Sequence, residues 1–187
     1  MTAAPRRERA RWPVFLGLAA TILILDQLTK AWLVSVLPGE GDRLSVVGDL
    51  VRLVNSHNSG ALFGMFKDSA LLFGLVSVGV VALIAWYHGS SGRNTLLSVA
   101  LGLLLGGALG NMLDRLRLGY VVDFVDAGIG GLRWYTFNVA DAAISSAIVL
   151  LLLSALLPAR FGLVRPHAAE RSDTDARAGE PPEPADA

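Results

Sequence analysis

The chain has 187 residues, a formal net charge of zero and no cysteine. That excludes disulfides, a cysteine nucleophile, Cys-ligated zinc and iron–sulfur clusters, and it leaves no bulk field to attract nucleic acid. At 53% hydrophobic residues and a mean hydropathy of +0.52 it is also too apolar for an ordinary soluble domain.

In chain order, a basic leader (residues 1–11, with Arg6, Arg7, Arg9 and Arg11) precedes a first apolar stretch over 12–37. Arginines before an apolar run resemble a secretory signal. The run resumes after Lys30 and no small-x-small cleavage site precedes Asp26, so we read a retained span. Three more stretches, 70–87, 95–113 and 142–157, approach the roughly 20 residues needed to cross a bilayer. The connection 38–69 holds a hairpin over 44–54, with Gly48-Asp49 as turn, and an apolar, Gly-punctuated segment over 60–66 that suits a short interfacial helix. The connection 114–141 holds a strand over 132–137. The expected fold class is an all-α membrane protein: a four-transmembrane-helix bundle (12–158) with a small extramembrane β platform. The Pro-, Ala- and Glu-rich tail over 159–187 reads as disordered.

Arg6–Arg11, Arg93, Arg160 and Arg165 put both termini on the cytoplasmic side; Arg115, Arg117 and Arg133 count against it, but the N-terminal cluster usually dominates. In this orientation Asp26 lies roughly 20 Å into the first span, with Lys30 about 6 Å further. The third span ends at Asn111 and Asp114, and the fourth starts just after Asn138 and Asp141. All these polar residues therefore arrive at one depth, the outer membrane boundary.

Charge in hydrocarbon costs at least about 2.5–3.5 kcal/mol, so each such residue is a functional candidate. Each also has a plainer reading. Asp26 and Lys30, four apart, form an intrahelical ion pair or help order a nearby site. Asn58 and Gly60 mark a turn, or else Asn58 bonds an extended substrate backbone that Gly60 lets approach. Asp114 pairs with Arg115 to offset an unfavourable carboxylate at a helix C-terminus. Gly102, Gly106, Gly107 and Gly110 serve close helix packing. In FNVAD (137–141), Asn138 is an N-cap with Asp141 at N3. His57, His88 and His167 are dispersed and form no HExxH pair, so no metal site is expected and His57 reads as an exposed loop residue.

Two carboxylates in unlike environments can share a proton, one as base on a water and the other as acid on a carbonyl. The helix N-terminus favours negative charge at Asp141, while burial against Phe124 raises the pKa of Asp123. Asp114, Asp123, Asp126 and Asp141 all remain open as members of such a pair, with a mild preference for 123 and 141. No serine sits in a G-x-S-x-G elbow.

Five motifs together resemble the lipoprotein signal peptidase (signal peptidase II) family: D-Q-x-T-K (26–30), N-x-G-A-x-F-G (58–64), G-N-x-x-D-R (110–115), V-V-D-F (121–124) and F-N-x-A-D (137–141). Leu62 stands where the family often has alanine. The resemblance implies a bacterial inner-membrane aspartic endopeptidase that cleaves prolipoproteins before the lipid-modified cysteine. It implies Asp123 and Asp141 as the catalytic pair and a site lined by Asn58, Gly60, Asn111, Arg115 and Asn138. Asp26, Lys30 and Asp114 would support that site. A monomer in contact with membrane lipid, needing no cofactor, is expected. The alternative from residues alone is a small proton-coupled transporter or channel relaying through Asp26, Lys30 and the outer aspartates. The apolar inner halves of the second and fourth spans and the lack of an internal repeat weigh against it.

Overall fold

The computed structural model describes residues 11–59, 70–91 and 94–158. The leader 1–10, the segment 60–66 expected as an interfacial helix, Gly60 itself, Arg93 and the tail 159–187 lie outside the described residues. The helices are α1 (Trp12–Val36), α2 (Ala70–Ser91), α3 (Thr95–Leu118) and α4 (Val139–Leu156), and the strands are β1 (Arg43–Val47), β2 (Val51–Asn58), β3 (Val121–Ile129) and β4 (Leu132–Arg133). Contacts divide the chain into Met1–Leu152 and Leu153–Ala187. The first unit holds the sheet, α1 to α3, α4 as far as Leu152, and every site residue described below.

All four helices contain a stretch long and apolar enough to cross a membrane. Their outward residues invert the pattern of a soluble protein: Leu16, Ile24, Leu28, Leu75, Leu83, Ile148 and Leu152 are exposed. Half of the α3 span is buried, against 17–22% for the others, which makes α3 the packing centre. It opens on Asn94, whose side chain accepts the N–H groups of Leu96 and Leu97, and closes on Gly119 at φ 80°.

Glycines set the helix spacing. A Cβ at Gly106 would stand 2.7 Å from the Ala19 carbonyl of α1, and one at Gly107 would stand 2.5 Å from the Ala140 carbonyl of α4. Phe15, Ala19, Ile84, Leu101 and Leu105 fill the core between α1, α2 and α3. A second cluster of Leu33, Val122 and Phe124 fastens β3 to the end of α1.

The strands form one antiparallel sheet in the order β1-β2-β3-β4. The expected 44–54 hairpin is present, turning at Gly48 with φ 50°. Its second strand continues to Asn58, which is therefore a strand residue opposite Val121 and not a turn. The segment 132–137 pairs only at Leu132–Arg133, with a single further bridge between Phe137 and Val125. The longest strand, β3, was not expected. Its first four residues are buried on both faces, so it lacks the alternation that marks a half-buried strand. Helix α3 runs past 113 to Leu118, placing Asn111 and Asp114 inside the helix and not at its end.

Candidate active site

The site lies where the last turns of α3, the first turn of α4, the middle of α1 and the start of β3 meet. Asn138 joins its parts. It precedes α4, its Oδ1 accepts the Asp141 N–H at 2.9 Å, and its own N–H donates to Asp141 Oδ2 at 3.2 Å. This reciprocal capping box satisfies two helix-end donors and fixes the Asp141 rotamer. The Asn138 Nδ2 donates to Asp123 Oδ1 at 2.7 Å. One asparagine thus holds Asp141 by backbone and carbonyl and Asp123 by its amide.

Asp123 lies on β3, opposite Ser56 of β2, and is 3% exposed. Its second oxygen accepts Asn58 Nδ2 at 3.0 Å. Burial first, and then the negative charge of Asp141, push its pKa up to about 7; the bonds from Asn58 and Asn138 and the positive charge of Lys30 oppose the rise. Asp141 is half-buried and also accepts Asn111 Nδ2 at 2.8 Å. Arg115 is half-buried and interacts electrostatically with Asp141, Asp123 and Asp114; its Nη1 also donates to the Asn111 carbonyl at 3.4 Å.

Beside these groups is a buried ionic layer. Lys30 Nζ lies 2.8 Å from Asp26 Oδ2, 2.8 Å from Asp114 Oδ2 and 3.2 Å from Asn111 Oδ1. An ammonium has three donors, and three acceptors surround this one. The intrahelical Asp26–Lys30 pair is thus real but extends to α3. The principal partner of Asp114 is Lys30, not the neighbouring Arg115 expected from sequence. Asp114 Oδ2 also accepts the Val122 N–H at 3.2 Å, tying α3 to β3. Asp26 Oδ1 accepts the Ala140 N–H at 3.0 Å and so caps the start of α4 from α1.

The fourth candidate, Asp126, is withdrawn into the sheet. Arg133 Nε donates to it at 2.9 Å and Arg52 Nε at 3.0 Å. The Arg133 bond chiefly, with both positive charges, holds its carboxyl below the usual range. His57 is not an exposed loop residue: it lies half-buried on β2, stacked on Tyr120 with ring centroids 3.9 Å apart. Sequence reasoning passed over Gln27, whose Nε2 donates to Asp114 Oδ1 at 2.9 Å and to Asp26 Oδ2 at 3.2 Å. Its place between Asp26 and Lys30 in DQLTK was the available signal. Among the described residues no group of three or more His, Cys, Asp or Glu is arranged to hold a metal.

The fold and the site define a multi-pass membrane protein with paired carboxylates held by asparagines. A family model described as Signal peptidase (SPase) II matches residues 18–157, and the chain belongs to the signal peptidase II family of peptidases. It is 40% identical over 146 residues to the lipoprotein signal peptidase of Moorella thermoacetica, covering 78% of this chain and 94% of that one. Its identity to the lipoprotein signal peptidase of Caulobacter vibrioides is 39% over 155 residues, covering 80% and 89%. Two solved structures described as bacterial membrane enzymes share the fold. One, at 2.3 Å resolution, has a TM-score of 0.73 at 24% identity and covers 94% of this chain and 98% of its own. The other, at 1.9 Å, has a TM-score of 0.72 at 27% identity, covering 80% and 96%. Nothing in these likenesses supports the transporter alternative.

Proposed function

We propose that this chain is an aspartic endopeptidase that removes signal peptides from lipid-modified prolipoproteins, cutting before the diacylglyceryl-cysteine. The observation that carries the reading is the link through Asn138 between a buried Asp123, with pKa about 7, and a donor-rich Asp141. Near neutral pH, protonated Asp123 is the acid and the Asp141 carboxylate is the base. Asp141 takes a proton from water as the water oxygen attacks the scissile carbonyl carbon. Asp123 gives its proton to the carbonyl oxygen, forming a neutral gem-diol. Asp141 then returns its proton to the amide nitrogen as the C–N bond breaks, and a gem-diol hydroxyl reprotonates Asp123. Arg115 limits repulsion between the two carboxylates, and exposed Asn58, at the end of β2, is placed to meet an extended peptide.

The membrane setting follows the same reading: a bacterial inner membrane, both termini cytoplasmic, and the site at the outer boundary, in a monomer. At that depth a diacylglyceryl anchor delivers its cysteine to the aspartates, supplying position that a soluble protease takes from side-chain pockets. The deciding experiment uses Asp123→Asn and Asp141→Asn with a lipidated precursor peptide in detergent. Each single change is expected to abolish cleavage with normal expression. Near-normal turnover by either would overturn the assignment.

A further inference from the structure

At the end of the sheet remote from Asn58 and Asp123, two turns lie side by side. The Gly128 N–H donates to the Leu50 carbonyl at 2.9 Å, and Arg133 reaches Asp49. The joined turns expose Val47, Leu50, Ile129, Leu132, Trp134 and Tyr135, with Leu132 84% and Trp134 74% exposed. Exposed apolar side chains gathered on two adjoining turns mark a contact surface. The charges beneath it are already matched: Arg52 and Arg133 pair with Asp49 and Asp126, two cations with two anions. That end therefore offers apolar and aromatic side chains and no surplus charge.

We infer that this end of the sheet is a lipid anchor: the β3–β4 hairpin and the adjoining β1–β2 turn dip into the headgroup zone of the bilayer that the helices span. Three observations favour lipid over a protein partner. First, Trp134 stands four residues before Asn138, the start of a spanning helix, so at most about 14 Å of chain separates them. The headgroup zone is itself about 5–8 Å deep on each side. Second, the outward faces of α1, α2 and α4 in the same chain are themselves apolar, with Leu28, Leu83 and Leu152 exposed. Third, a Trp-Tyr pair beside Leu and Ile is the composition of a membrane–water belt. The sheet then lies along the membrane instead of standing away from it.

The anchor is mechanically joined to the site. The Trp134 N–H donates to the Ala127 carbonyl at 2.7 Å, and the Phe137 carbonyl accepts the N–H groups of Phe124 and Val125. The hairpin thus fixes the depth of the strand that carries Asp123. The inference requires only that the four helices span a bilayer and is independent of which residues are catalytic.

Because the chain has no cysteine, Leu132→Cys gives a single spin-label position in an otherwise native protein. Leu152→Cys on α4 provides the lipid-facing reference. In nanodiscs of phosphatidylcholine and phosphatidylglycerol, the Leu132→Cys label is expected to collide more with oxygen than with an aqueous nickel chelate, at a shallower depth than the reference. Collision mainly with the nickel chelate would overturn the inference. So would protection from both reagents, which would mean cover by protein, such as a second copy. If Leu132→Cys does not fold, Ile129→Cys at the same tip carries the same test and the same outcomes.

Discussion

Asp123 is where one residue's environment governs both chemistry and stability. Its carboxyl must be protonated to act as the acid, so kcat is expected to fall as pH rises through about 7, measured on lipidated peptide across pH 5–9. The same shift has a stability sign. The folded pKa exceeds the unfolded value of 3.8, so between the two the folded state holds the extra proton. Stability therefore falls as pH rises through that window. Asp123→Asn removes this dependence. Its stability relative to the parent, followed by melting temperature, is expected to improve from pH 5 to pH 8 by a free energy on the order of 2 kcal/mol. Lys30 has the opposite character. Lys30→Met leaves Asp26 and Asp114 buried without their shared cation, a loss of about 3–5 kcal/mol visible as a large drop in melting temperature. Asp26→Asn/Lys30→Met/Asp114→Asn, which removes charge from the whole layer, is expected to recover much of that loss.

At the scale of elements, the site depends on how closely α3 approaches its neighbours, because α3 carries Asn111 and Arg115 while α4 carries Asp141. Gly107→Ala would set a methyl 2.5 Å from the Ala140 carbonyl and 2.7 Å from Ile144 Cγ1. Backbone cannot yield as a flexible side chain would, so the helices must part, at about 1–3 kcal/mol. Activity and melting temperature are both expected to drop. Gly17→Ala on α1, where a methyl meets nothing within 4 Å, is the control and is expected to leave both unchanged. The glycine spacing was legible as helix packing. Which neighbour each glycine admits was not, since that depends on the rotation of three helices about one another. Strand β3 was illegible for a related reason: its early residues are all buried, packed by α1 and α3, which erases the period of two.

For the whole molecule, the proposed activity depends on depth in the bilayer. A lipidated precursor and its unlipidated twin differ only in the anchor, so cleavage rates in identical detergent isolate its contribution. The unlipidated form is expected to be cut poorly or not at all, and equal rates would show that anchoring does not position the peptide. Hydropathy alone marked four helices apolar enough to span, and five motifs spread along the chain marked the family, because burying apolar side chains in lipid and sparing charge there are rules local to the chain. Asn138 and Asp141 were also readable as a capping box, since a cap is made within four residues. What sequence left open was which of four aspartates could form a pair. Asp114 turned to Lys30, Asp126 to Arg52 and Arg133, and Asp123 to Asn58 and Asn138. Those choices join α1, α3, both hairpins and α4 across up to 87 positions of sequence, as between Gln27 and Asp114. Only the packed helices and sheet decide them, because a buried carboxylate takes the nearest donor in space and the chain gives no measure of that distance.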